Sequence, residues 1–220
     1  MADFLVGVLS SIAATWLGLI AAFLWSGRFR WMLVVMLSRL SSGDFGQSWT
    51  DKKAAEADIS RELRRARNVA LLTGRGNELQ RATFDQFLHR RTTAGSSSHM
   101  RVLLPCTGSG PTARWTLDRE AELASFDRSF GSGQLTRQIE TNISHLETHQ
   151  RDGLVEIRRY DFPHLGRVLL TDRVAYFTPY SSDSHGRDSK VLKYPAASPM
   201  YGTFVRLFEK VWESSSAQLS

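Results

Sequence analysis

Cysteine is nearly absent from this chain of 220 residues: Cys106 stands alone. No internal disulfide can form, so nothing in the fold depends on an oxidising compartment, and a cysteine-based zinc framework is excluded. Glycine and proline number only sixteen and six, which excludes a collagenous chain. The common phosphate and nucleophile signatures are missing as well: there is no GxGxxG, no GxxxxGK[ST] and no GxSxG. Internal repeats are absent, and the only biased stretch is a serine-rich tail. What is present is globular: 28 Lys+Arg stand against 22 Asp+Glu, at a length suited to one compact domain plus something small. The mean hydropathy of −0.26 suggests a soluble chain, but the apolarity is unevenly placed.

Charge is missing altogether from residues 4–25, FLVGVLSSIAATWLGLIAAFLW. As a helix this run measures about 33 Å, the thickness of a hydrocarbon core, so it is expected to span a membrane from Phe4 to Trp25. A cleaved signal peptide would carry a basic start, whereas Asp3 is the only charge before the run. Arg28, Arg30 and Arg39 follow it and no Lys or Arg precedes it. The positive-inside rule therefore expects a single-pass protein of the cell membrane, with its N-terminus outside and its C-terminal domain in the cytoplasm. Trp25 and Trp31 suit the lipid interface. The apolar stretch over residues 31–37 is too short to cross again and reads as an interfacial or domain-facing helix, or as a continuation of the anchor. Residues 1–40 are thus anchor and juxtamembrane helix, 41–54 a linker, 55–215 the domain and 216–220 a tail.

Within the domain, DKKAAEADISRELRRARN is rich in helix formers, with Ile59, Leu63 and Ala66 on one face. VALLTG reads as a buried strand, and Asn77 is expected to cap a helix running to about Arg91. RVLLPC is a second strand, followed by helices near 114–129 and 134–150. Four β-rich segments follow at 154–161, 167–172, 174–180 and 190–195, bounded by Gly, Pro and Asp. SPMYGTFVRLFEKVWES closes the chain as an amphipathic helix with Ser198 as its cap. The order β-α-β-α-α-β-β-β-β-α predicts an α/β (α+β) domain: a mixed sheet flanked by helices.

No metal site is expected. His145 and His149 share a helix face with Glu147 between them, but the order HLETH puts the Glu in the wrong place for zincin chemistry, and a solvated face is the better reading. The segment HLGRVLLTDRVAYFTPY carries more. Arg167 opens a strand, and Asp172 lies five positions later at the turn. This spacing, the β-α-β start and the closing helix FVRLFEKVWES resemble the phospholipase D-like superfamily, over roughly residues 55–215. The family motif is HxKxxxxD. The resemblance implies half of that fold, Arg167 in the Lys position and Asp172 in the Asp position. Leu165 stands where the nucleophilic His belongs, and His164 is displaced by one residue, which on a strand turns a side chain to the opposite face.

The resemblance therefore implies a non-catalytic module of sensor or effector type with no cofactor, which binds a phosphate-bearing ligand or a protein partner; Arg75, Arg167, Asp172, Arg173 and Lys193 are the residues whose chemistry suits a phosphate-bearing small molecule or nucleotide. Two other functions stay open. One is a membrane-tethered phosphodiesterase or nuclease acting as a homodimer through His164, Arg167 and Asp172; the other is a structural protein that localises a partner. Asp3 is the only charge in residues 1–25, so the remainder holds 28 basic and 21 acidic residues, net +7. A lipid bilayer with an anionic surface is the expected counter-surface. Nucleic acid is not an expected partner, since no recognised binding motif is present.

Overall fold

Short apolar runs broken by Gly, Pro and Asp make strands here, and longer amphipathic ones make helices. The computed structural model describes residues 15–18, 27–41, 44, 46–94, 99–108, 113–131, 133–163, 165–182, 185–186 and 188–217. The expected membrane span, with Phe4 and Trp25, lies outside these residues apart from a helical turn at 15–18. No helix among the described residues is long and apolar enough to cross a membrane.

The elements in chain order are α1 (Gly27–Ser41), β1 (Gln47–Trp49), α2 (Lys52–Leu63), β2 (Asn68–Leu72), α3 (Ala82–Ala94) and β3 (His99–Pro105). After these come α4 (Arg114–Phe126), α5 (Gln134–Arg151), β4 (Val155–Tyr160), β5 (Gly166–Thr171), β6 (Val174–Pro179), β7 (Val191–Pro195), α6 (Pro199–Ser214) and β8 (Ser216–Ala217). The strands form one mixed sheet in the order β1-β7-β6-β5-β2-β3-β4-β8. Strands β2, β3 and β4 are parallel neighbours, which requires crossovers; α3 supplies one, and α4 with α5 the other. The remaining pairings are antiparallel.

Side chains alternate across the sheet, so two cores form. On one face Leu71, Val102, Leu104, Ile157 and Leu169 pack with Leu63 of α2, Phe87 and Leu88 of α3, and Ile139, Ile143 and Leu146 of α5. The other face holds Ala70, Leu72, Leu103, Val168 and Leu170 beneath Phe204, Phe208 and Trp212 of α6. Those three rings recur every fourth residue, and each contributes on the order of 2 kcal/mol by leaving water. Ser198 caps α6, its hydroxyl accepting from the Met200 amide at 3.1 Å, while Asp51 caps α2 through the Ala54 amide at 2.9 Å.

The structure departs from the sequence reading in four places. Residues 47–54, read as linker, form β1 against β7 and begin α2. The helix expected from Asn77 to Arg91 is broken: residues Asn77–Gln80 make a single 3-10 turn, Arg81 is extended, and α3 starts at Ala82. Asn77 does not cap, because its side-chain carbonyl accepts instead from Asn142 on α5. Residues 216–217, read as tail, form β8 against β4. The juxtamembrane stretch, read as an interfacial or domain-facing helix, lies in α1 and faces the domain: Trp31, expected at the lipid interface, packs onto the domain core, and Met32, Met36 and Leu40 are exposed.

Candidate anion-binding site

The register of the sheet brings the end of β2, the start of β5 and the end of β6 to one end of the sheet. Arg167 stands opposite Thr178, and its Nη2 donates to Thr178 Oγ1 at 3.1 Å. Gly166 makes this pairing possible: a Cβ there would lie 2.6 Å from the Phe177 ring and 2.8 Å from the Thr178 carbonyl. Beside Arg167, the chain leaving β2 carries Thr73, Arg75, Asn77 and Glu78, and the first turn of α2 contributes Lys52. With Arg81, Asp127, Phe130, Tyr180, His185 and Gly186 they line a cavity of about 310 Å³.

Its electrostatics centre on Glu78, a carboxylate whose side chain is only 8% exposed. Lys52 Nζ lies 3.8 Å from one oxygen and Arg167 Nη1 3.8 Å from the other, beyond hydrogen-bond distance. Burial opposes its charge, but Lys52 first and Arg167 second hold Glu78 down to about 2, so it remains ionised. Lys52 is pulled the other way: burial lowers it to about 8 despite Glu78, and Arg167 and Arg81 add to the fall. Four cations, Lys52, Arg75, Arg81 and Arg167, thus surround a space containing two carboxylates, Glu78 and Asp127, which leaves an excess of positive charge for an anion.

A second layer holds these groups in place. Asn142, buried on α5, donates from Nδ2 to the Arg75 carbonyl at 2.7 Å and to Asn77 Oδ1 at 2.8 Å, and its Oδ1 accepts from Gln80 at 2.8 Å. Gly76 sits between them at φ +80, where a Cβ would also press on Leu104 at 3.1 Å. The Gly74 amide donates to the Tyr180 hydroxyl at 3.1 Å, and buried Arg119 lies over the Tyr180 ring while donating to the Ser181 carbonyl. Across the cavity His185 Nε2 and Asp127 Oδ2 are 2.9 Å apart, and the His185 ring packs edge-on against Phe126. Arg75 lies over the Phe130 ring, 5.1 Å from its centre.

Of the residues expected from sequence to meet a ligand, the structure brings Arg75 and Arg167 together. It does not bring the others to them. Asp172, at the far end of β5, accepts from the Arg67 and Asn68 amides at 2.7 and 3.2 Å and ties the β5–β6 turn to the start of β2. Arg173 is exposed and faces Glu62 at 3.9 Å. Lys193 is fully buried under α2, 2.7 Å from Asp58 and 3.3 Å from Glu62, with Trp31 of α1 over its ammonium at 4.0 Å. The hydrogen-bonded Tyr176 hydroxyl completes that cluster at Asp58. His164 lies outside the described residues, and Leu165, in the position of the family histidine, is 66% exposed. Arg28 and Arg30 both fall on α1. Among the described residues no group of three or more His, Cys, Asp or Glu could hold a metal ion.

Lys52, Glu78, Arg81 and His185 were not expected at this site. Lys52 and Glu78 sit in helix-forming sequence, and only the packing of α2 against the sheet makes them neighbours. A Glu two residues after Gly76, in the turn that leaves β2, is the one local sign that Glu78 belongs to the cavity.

No protein-family model matches the chain, and no curated protein is significantly similar to it. Among solved structures it is similar to TrmBL2, an archaeal chromatin protein described with a novel mode of DNA binding. That match has a TM-score of 0.49 and 13% identity, covering 96% of this chain and 70% of that one. It is also similar to Nuc from Salmonella typhimurium, a phospholipase D family member, with a TM-score of 0.44 and 10% identity over 80% of this chain and 98% of that one. NucT from Helicobacter pylori gives a TM-score of 0.44 and 9% identity over 79% and 98%. At these levels the likenesses concern the course of the chain, and no chemistry carries over from them.

Proposed function

We propose that the chain is a phospholipase D-like module that binds a phosphate-bearing small molecule at the cytoplasmic face of a membrane, without catalysis at its HxKxxxxD-like segment. The observation that carries this reading is the convergence of Lys52, Arg75, Arg81 and Arg167 on one cavity. Guanidinium forks suit phosphate oxygens, and a partly enclosed site strengthens each contact. Exposed Leu165 supports the absence of the family's nucleophile from that strand position. Membrane attachment is supported by the uncharged run over residues 4–25 and by the exposed strip Met32, Met36 and Leu40 on the helix that follows.

The test is thermal unfolding of the full chain in detergent with inorganic phosphate and a panel of nucleotides. A ligand at 100 times its Kd adds about 2.7 kcal/mol to stability. At least one phosphate-bearing compound is expected to raise the melting temperature, and Arg167→Ala to remove the rise. A panel in which no phosphate compound stabilises the chain overturns the reading.

A further inference from the structure

Among the cavity's four cations, Lys52 differs in kind. Guanidinium groups remain protonated, whereas an amine can lose its proton and become a nucleophile. The Lys52 side chain is 13% exposed, lies 3.8 Å from Glu78 and lines the cavity together with Arg75, Arg81 and Arg167. It also lines the adjoining cleft with Thr50, Asp51 and Glu56. Among the described residues no hydrogen bond holds the ammonium, and Glu78 Oε2 lies 3.8 Å from it.

We propose that Lys52 is a covalent ligand-binding residue that captures phosphate esters bearing an aldehyde or ketone as a reversible imine. This rests on the phosphate-site reading above and extends it to a substrate class. Arg75 and Arg167 hold the phosphate, and the carbonyl carbon comes to Lys52 Nζ. The neutral amine adds its lone pair to that carbon, giving a carbinolamine after proton transfer from nitrogen to oxygen. Loss of the former carbonyl oxygen as water then forms the C=N bond; no oxidant or reductant takes part. Burial, reinforced by Arg167 and Arg81 and opposed by Glu78 and Glu56, brings Lys52 to about 8, so a substantial share of the amine is neutral at pH 7.5. Lys53, its exposed neighbour in sequence, serves as an internal reference.

The experiment uses the full chain in detergent with glycolaldehyde phosphate as probe, cyanoborohydride to trap the imine, and peptide mass spectrometry to read each lysine. Lys52 is expected to label at least tenfold faster than Lys53. The preference should disappear with glycolaldehyde, which lacks the phosphate, and with excess inorganic phosphate as competitor. Lys52→Arg keeps the charge and should abolish the fast label. Labelling of Lys52 no faster than Lys53, while inorganic phosphate still stabilises the chain, overturns the imine and leaves the phosphate site standing. The same slow labelling with no stabilisation by any phosphate compound overturns both.

Discussion

Glu78 and Lys52 both make stability rise with pH, in two separate windows. Glu78 is held at about 2 against an ordinary 4.5, so its contribution is complete above 4.5 and is lost as pH falls toward 2. The shift corresponds to about 3 kcal/mol. Lys52 is lowered from 10.5 to about 8, so folding is penalised below 8 and the penalty lifts as pH rises from 8 to 10.5. Inorganic phosphate, which has no carbonyl to capture, loses the attraction of the Lys52 charge over that upper window and should bind more weakly there. Urea midpoints measured across pH are expected to fall below 4.5 and to rise between 8 and 10.5, with the upper rise missing in Lys52→Met. An upper rise that persists in that variant would show that another group causes it.

At the scale of elements, the cavity depends on how α5 holds the turn after β2. Asn142 makes three hydrogen bonds there, two of them to the residues flanking Gly76. Asn142→Ala leaves buried polar groups without partners and should cost about 2–3 kcal/mol in chemical denaturation. It should also reduce the response to phosphate, because the Arg75 backbone loses its tether; an unchanged response would separate the turn from the site. This arrangement also explains what could be read in the sequence. The strands were legible because apolar runs such as VALLTG and RVLLTD end in turn residues, and α6 because Phe204, Phe208 and Trp212 keep helical spacing. Strand β1 was not, since three residues, QSW, are too few to show a period. The break at Arg81 was hidden for a different reason: Asn77 carries a local capping signal, and its long-range bond to Asn142 takes precedence. Arg75 and Arg167 were legible as cations at strand ends. Lys193 carries the same local signature, yet its carboxylate partners lie 131 and 135 residues away in sequence and bury it as structure.

For the whole molecule, the single cysteine allows the proposed topology to be tested without engineering. Cys106 follows β3 and is partly exposed, on a domain whose charge beyond residue 25 is net +7 from 28 basic and 21 acidic residues. Each well-placed cation next to an anionic leaflet gains about 1 kcal/mol, which favours the cytoplasmic side. Electrostatic attraction alone is screened at high salt, whereas an inserted span is not. The chain should therefore stay with vesicles at about 1 M salt, where the Debye length is roughly 3 Å. A membrane-impermeant maleimide should label Cys106 in inside-out vesicles and leave it untouched in right-side-out ones. Burial, with Asp161 adding to it, pushes the thiol above its ordinary range, so labelling should be slow at neutral pH and faster as pH rises. Labelling from the outer side would reverse the orientation, and release by salt would reduce the membrane association to surface charge. In either case the cavity would face a different pool of ligands from the one proposed, because the side of the membrane decides which phosphates can reach Lys52, Arg75 and Arg167.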